Sequence, residues 1–328
     1  MIYWIQDVFA TAQQWLFESA VQPILFSFGF GNFLEDGYTA TGWLLVGLIQ
    51  IAVMLAIIGP LQRWRPVEPM TDVAAIRTDV IYTLVHRLGL FRVALFFSVE
   101  PLFDEVFSML RVAGLSTVHI DQVMGAGTAH PFISFVIYLV IFDFVDYWIH
   151  RGQHGLNWWW SLHSLHHSQR QMTMWSDNRN HLLDDVIRDG ILVVVGQMIG
   201  VGPGQFVAIV ALAQLSESLQ HANIRLHFGR IGERLWVSPR FHRLHHSIGI
   251  GHERGANGEL LRAGRSPALG GHNFGVLLPW WDMLFRTANF EIRYDPTGIR
   301  DQVEKGRNYG TGFWEQQWLG VLRLVGKA

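Results

Sequence analysis

The chain has 328 residues, half of them apolar, 13% aromatic and only 16% charged, with a net charge of −2. The usual charged share is about 25%, so the deficit points to a membrane protein, and the near-neutral balance gives no reason to expect nucleic acid. Cysteine is absent, which excludes disulfides, zinc–thiolate sites and thiolate-held iron–sulfur clusters.

Residues 1–31 contain no Lys or Arg, unlike an ordinary secretory signal, which needs a positive n-region. Residues 43–61 (WLLVGLIQIAVMLAIIGPL) are uncharged and nearly all apolar. At about 1.5 Å per residue such a helix crosses a hydrocarbon core of about 30 Å. It stops at Arg63, Trp64 and Arg65, a basic and aromatic flank suited to the interface. Residues 80–99 are a second candidate, interrupted by His86, Arg87 and Arg92. They read as a span packed against protein or as a partly buried helix. Residues 131–149 (PFISFVIYLVIFDFVDYWI) form a third span that runs straight into His150. Residues 186–219 are long and apolar with a break at 200–204 (GVGPG), which predicts two helices joined by a turn.

Basic residues orient this arrangement. The first 62 residues have none, whereas Arg63, Arg65, Arg77, Arg151, Arg170 and Arg179 mark the other side. The positive-inside rule then puts residues 62–79 and the segment after residue 149 in the cytoplasm, and the N-terminus outside. The expected fold is an all-α integral membrane protein with about four transmembrane helices, including the hairpin, and a cytosolic helical cap. It reads as a single membrane-embedded domain: an N-terminal segment 1–42, helices over 43–220, and a cap over 221–328.

Eight of the 16 histidines fall in three short boxes. These are His150 and His154; His163, His166 and His167; and His242, His245 and His246. Imidazole is the commonest metal ligand, and spacings of three and four share one helix face. Eight donors are too many for one transition metal and about right for two. An all-imidazole site without cysteine suits iron or zinc. Trp158, Trp159 and Trp160 precede the second box and suit a membrane–water interface. His221 and His181 lie outside the boxes and are candidates for completing the ligand set. Glu217, one turn before His221, is placed to support or replace it. His86, His119, His130, His227 and His252 have no spacing partner and read as structural.

Asp143, Asp146, His150 and His154 share one helix face. A carboxylate in an apolar span is a functional hypothesis by default. Asp146 either orients a ligating imidazole or is satisfied by Arg87 or Arg92. There is no His-Glu-x-x-His, no Gly-x-Ser-x-Gly elbow, no Walker A loop and no dinucleotide glycine fingerprint.

The stretches His150-Arg-Gly-Gln-His154, His163-Ser-Leu-His-His167-Ser168 and Phe241-His242-Arg-Leu-His-His246 resemble the three histidine boxes of the fatty acid hydroxylase / sterol desaturase superfamily. His272-Asn-Phe-Gly275 and Trp281-Asp282-Met-Leu-Phe285 are similar to the segment that follows its last box. The resemblance runs from about Arg77 to Thr287. It implies a non-haem enzyme with two iron ions, held by the eight box histidines, that uses O₂ to hydroxylate or desaturate a membrane lipid. Zinc competes well at such sites in purified protein. His221 resembles an extra histidine found between the second and third boxes. His272 and Asn273 adjoin the site without being expected to bind metal, Asn273 as an outer partner.

The chain has no His-Pro-Gly-Gly signature of a fused cytochrome b5 domain. Electrons are therefore expected from a separate ferredoxin, cytochrome b5 or similar donor with its reductase. Arg240 and Arg243 are candidates for the face that receives it, or for holding lipid headgroups. Relatives act on sterols, acyl chains, carotenoids or aminolipids such as ornithine lipids, and the boxes do not choose among them. Lipid hydroxylation is the leading expectation. A desaturase with the same site and a non-enzymatic membrane metal sensor are the rivals. The preference for Arg over Lys suggests a GC-rich bacterial genome, and the expected location is a bacterial inner membrane, with all three boxes facing the cytoplasm by the positive-inside rule. The Gly-rich insert at residues 249–271 departs from the short sterol enzymes.

Overall fold

The computed structural model describes residues 2–125, 130–248, 262–263, 266–267 and 271–328. The insert at 249–271 therefore lies largely outside the described residues. Helices dominate. In chain order they are α1 (Ile2–Leu16), α2 (Gln22–Ser27), α3 (Leu34–Val53), α4 (Gly59–Trp64), α5 (Val73–Arg87), α6 (Leu90–Ser98), α7 (Glu100–Val112), α8 (Ile120–Val123) and α9 (Pro131–Gly155). They continue as α10 (Asn157–His167), α11 (Leu182–Ile199), α12 (Pro203–His221), α13 (Gly229–Gly232), α14 (Pro239–His245), α15 (Trp280–Leu284), α16 (Arg300–Glu304) and α17 (Phe313–Leu324). Among the described residues the only strand pair is Arg262–Ala263 with Ser266–Pro267.

The chain divides into two compact units, residues 1–53 with 84–109, and residues 54–83 with 110–328. In the first unit α1 lies along α3. Gln13 donates to the Tyr38 carbonyl at 2.8 Å, and the Phe17 and Tyr38 rings meet edge to face. Arg87 donates to Gln50 at 3.0 Å, both buried, and the Arg92 guanidinium sits 3.6 Å from the centre of the Trp43 ring. These two arginines thus spend their charge on a polar side chain and a ring face.

Two helices among the described residues are long and apolar enough to cross a membrane, Gly31–Trp64 and Pro131–Gly155. The first contains the expected span at 43–61, but it begins inside the predicted N-terminal segment. A π-helical turn, Met54–Ile58, joins α3 to α4. Leu48, Ile49, Leu55 and Ile57 on this helix are exposed. Residues 80–99 do not form one helix. α5 ends at Arg87 and Gly89 turns the chain at φ 80° into α6. That left-handed conformation suits a residue without Cβ, and the apolar run on both sides concealed it.

The second unit is built on α9, with Pro131 at its first turn, where a missing N–H costs nothing. The predicted hairpin is present. Gly200 ends α11 in the left-handed region and Pro203 opens α12. The α11 and α12 helices have 18 and 19 residues, but neither qualifies as a span by length and composition. Asp184, Asp185, Arg188 and Asp189 load the start of α11 with charge. Tyr138, Leu139 and Phe142 of α9 pack with Leu192 of α11, Ile209 and Ala213 of α12, and Leu277 and Leu278 into one core. That core holds the polar ends of α9, α11 and α12 in register, and the histidines stand at those ends.

Candidate metal centre

Four short elements bring the histidines together. Box 1 is the last turn and a half of α9, and box 2 ends α10, which follows after Leu156. His221 is the last residue of α12. Box 3 lies on and just after α14, whose start is fixed by Pro239 and by Ser238, whose hydroxyl accepts from the Phe241 N–H at 3.1 Å.

Eight imidazoles form two groups of four, each with its donor atoms within 4.8 Å of one another. The first is His150, His154, His167 and His245, and the second is His166, His221, His242 and His246. All eight are buried. In the first group the Nε2 atom of His167 stands 3.0 Å from that of His154 and 3.2 Å from that of His245. In the second, His221 Nε2 is 3.2 Å from His166 Nε2 and 3.1 Å from His242 Nε2, and His246 Nε2 is 3.1 Å from His242 Nε2. A nitrogen that meets two others this closely cannot satisfy both with one proton. Donors at right angles and about 2.1 Å from one ion stand about 3.0 Å apart. The spacing therefore fits convergence on a cation.

Tautomers point the same way. A carbonyl only accepts, so an imidazole nitrogen facing one carries the proton. His150 Nδ1–H donates to the Phe274 carbonyl at 2.8 Å, His245 Nδ1–H to the His272 carbonyl at 2.6 Å, and His221 Nδ1–H to the Glu217 carbonyl at 2.9 Å. Each leaves an Nε2 lone pair aimed into the cluster. His150 Nε2 is buried with no hydrogen-bond partner among the described residues. Burial, and then the neighbouring imidazoles, push His166, His167, His242 and His246 well below the ordinary histidine range. Burial takes His245 down to about 3, against the opposing hydrogen bond to His272. These rings are neutral at pH 7, the form that ligates.

His163 belongs to neither group but lies between them, its ring centre 5.1 Å from that of His167 and 5.2 Å from that of His166. Its Nδ1 donates to Asp184 at 3.1 Å, and its Nε2 is buried without a hydrogen-bond partner among the described residues. A carboxylate behind an imidazole is the usual way of fixing a ligating histidine. Asp184 also accepts from Gln153 at 2.8 Å and Trp159 at 2.6 Å. Sequence reading missed Asp184. The available signal was a pair of carboxylates at the start of an apolar hairpin.

Other candidates fall elsewhere. His181 is not brought to the cluster. Its Nδ1 accepts from the Leu183 N–H as the cap of α11, and its Nε2 donates to the Gln317 carbonyl at 2.9 Å. Asp146 meets Arg188 at 2.9 Å, while the His150 Nδ1–H goes to the Phe274 carbonyl. Glu217 supports His221 through its carbonyl, while its side chain reaches Arg188 at 3.5 Å. Asp146, Arg188 and Glu217 border a cavity of about 70 Å³ beside His150, His163, His166 and His221. Arg240 and Arg243 are buried rather than a docking face. Arg240 pairs with Glu233, and Arg243 with Glu68 at 2.9 Å.

The segment after box 3 is a brace. Asn273 takes a φ of 61° and donates to the carbonyls of Phe241 and Asn289 at 2.9 and 3.1 Å. Its side-chain hydrogen bonds among the described residues go to backbone, and its turn aims the flanking carbonyls of His272 and Phe274 at His245 and His150. Asp282 holds that turn by accepting from the N–H groups of Phe274 and Gly275 at 2.9 and 2.7 Å. Asp143 accepts from the N–H groups of Leu277 and Leu278 and from Trp281 Nε1, at 2.7 to 3.1 Å. Asp143 thus fastens the brace to α9.

A fatty acid hydroxylase family model matches residues 135–287. The ornithine lipid hydroxylase OlsE of Rhizobium tropici is 28% identical over 173 residues, 52% of this chain and 47% of that protein. The alkylglycerol monooxygenase of Caenorhabditis elegans is 25% identical over 166 residues, 50% of this chain and 28% of its own length. A probable Delta(7)-sterol 5(6)-desaturase of Neurospora crassa is 30% identical over 86 residues, 26% of this chain and 25% of that protein. The chain thus spans half or less of the length of these curated relatives. No solved structure matches it. The matched region, just under half of the chain, contains all three boxes and their brace, and these likenesses support the fatty acid hydroxylase / sterol desaturase superfamily.

Proposed function

We propose that the protein is an O₂-dependent lipid hydroxylase with two metal ions, iron in the cell, one in each group of four imidazoles. The observation that carries this reading is the convergence of His150, His154, His167 and His245, and of His166, His221, His242 and His246, on two neighbouring points. His163, backed by Asp184, stands ready to join either group. Bound iron supplies the activation of O₂. The net reaction takes one oxygen atom into a C–H bond and reduces the other to water, using two electrons and two protons. The electrons come from a separate donor protein.

The chain's own residues hold and shield the site. The carbonyls of His272, Phe274 and Glu217 fix three tautomers and keep lone pairs inward. Phe274, fully buried, packs its ring 5.3 Å from His154 and 5.6 Å from His245 and keeps water from that side. Two apolar helices support an integral membrane protein. Several crossings, cytoplasmic boxes and a lipid chain entering between helices complete this reading. The named relatives act on ornithine lipid, alkylglycerol and sterol, so the substrate proposed here is a membrane lipid. The sterol desaturase among them favours a second reading, in which the same site removes two hydrogens.

The test is expression with a reductase and donor, followed by mass spectrometry of host lipids under O₂. A gain of one oxygen supports hydroxylation, and loss of two hydrogens supports desaturation. No lipid change by iron-loaded, reduced protein would leave a metal-binding sensor as the better reading.

A further inference from the structure

Helix α17 has its amphipathicity reversed. A helix on a water-exposed surface turns its apolar stripe inward and its polar residues out. Here Gln316, Gln317 and Arg323 are buried against the protein, while Trp314, Trp318, Val321 and Val325 are exposed, the first two at 77% and 62%. The exposed residues follow at intervals of four, three and four, one continuous stripe. Such a face matches surroundings that are themselves apolar.

The buried face explains where those surroundings lie. Arg323 donates to the Ser161 carbonyl of α10 at 3.1 Å. Gln317 accepts from the Leu182 N–H at 2.8 Å and donates to the Asn180 carbonyl at 2.9 Å, and its own carbonyl accepts from His181. At Gly320 a Cβ would stand 2.2 Å from the His181 ring, so only glycine permits the approach. α17 is therefore fastened to two places. One is α10, which follows directly on the apolar helix α9. The other is the N-terminus of α11, where the hairpin begins. If α9 crosses the bilayer, both places lie at its surface.

We infer that α17 lies in the membrane–water interface, with Trp314, Trp318, Val321 and Val325 in the acyl–headgroup boundary, and seats the histidine-bearing unit on the bilayer. Indole rings are the side chains most enriched at that depth, and a helix parallel to the surface buries its apolar face about 5–10 Å. A second protein on this stripe would be an alternative occupant. The bilayer is favoured because α17 is fastened to α10, which follows directly on a helix long enough to span it. The inference rests on the membrane reading above.

The chain has no cysteine, so single-cysteine variants label cleanly. Trp314→Cys, Trp318→Cys and Val321→Cys are spin-labelled in the full chain, in nanodiscs of phosphatidylcholine and phosphatidylglycerol. Leu55→Cys, on the long apolar helix, is the reference. Each label's collision with O₂ is compared with its collision with a water-soluble nickel chelate. The expected result is a several-fold excess of O₂ collision at all four positions, larger at residue 55. Lipid accessibility at 55 with aqueous values on α17 overturns the inference and leaves the membrane reading standing. Aqueous values at all four positions remove both. Three positions on α17 keep the test alive if one variant fails to fold.

Discussion

The two imidazole groups have the same composition and different scaffolds. The first takes both histidines of box 1, the last of box 2 and the middle one of box 3. Two of its four rings are oriented by carbonyls of the brace after box 3. The second takes the middle histidine of box 2, the outer two of box 3, and His221 from a helix with no box at all. Its one observed carbonyl support, from Glu217, lies one turn back in the same helix. Neighbouring residues such as His166 and His167 therefore serve different groups. A box is a unit of sequence, whereas each group of four imidazoles is drawn from several helices. The first group depends on tertiary docking of the brace, and the second depends mainly on the integrity of α12 and α14.

Removing one donor from each group gives the largest expected effect. His167→Ala should cost the first group its ion and His242→Ala the second. Metal analysis should then fall from about two equivalents per chain to about one in each variant. The affinity loss should exceed the roughly 10–100-fold typical of outer partners, and lipid oxidation should be abolished in both. Loss of both metals from either single variant would show that the groups bind as one cooperative unit, and the division drawn here would fail.

Next in size is Asp184→Asn, which withdraws the anion behind His163. Asp184 has three buried donors around it, so the variant should lose about 1–3 kcal/mol of stability. Metal affinity should fall by about 10-fold without loss of a whole equivalent. Thermal unfolding and metal titration read the two effects separately. If affinity drops for one ion only, His163 belongs to that group.

Asn273→Ala sharpens the asymmetry. It removes three hydrogen bonds and puts alanine at φ 61°. Two carbonyls aimed at the first group should drift while the second keeps its supports. The first ion should weaken by about 10-fold and the second hardly change. Equal weakening of both would mean that the brace acts on the whole chamber.

Much of this was legible in the sequence because helical spacing is local. His150 with His154, and His242 with His245 and His246, are brought together by three- and four-residue intervals, and the turn at Gly200 by its own glycine and proline. What was not legible depended on distance. His181 and His221 were both lone histidines near helix ends. Only the fold decides that one caps α11 and the other meets His166. Asp146 is one turn from His150 on paper, yet Arg188, forty-two residues on, claims it. Arg240 and Arg243 looked like surface charge because nothing local announces that Glu233 and Glu68 await them inside. The break at Gly89 was hidden by an apolar run on both sides.

The smallest expected effect tests the second group's scaffold most directly. Glu217 is one turn before His221, and a carboxylate so placed is a natural substitute ligand. Its side chain instead reaches Arg188 at 3.5 Å, a long and partly exposed contact, and such pairs contribute at most about 1 kcal/mol. The support it gives His221 comes from its carbonyl, which no side-chain substitution removes. Glu217→Gln keeps the shape, the helix and that carbonyl. It should therefore bind both metals with unchanged stoichiometry and retain most of its activity, with stability altered by well under about 1 kcal/mol. Loss of one metal equivalent would mean that the carboxylate, not the carbonyl, serves the second group once it is loaded. The two groups would then differ in their donors as well as in their scaffolds.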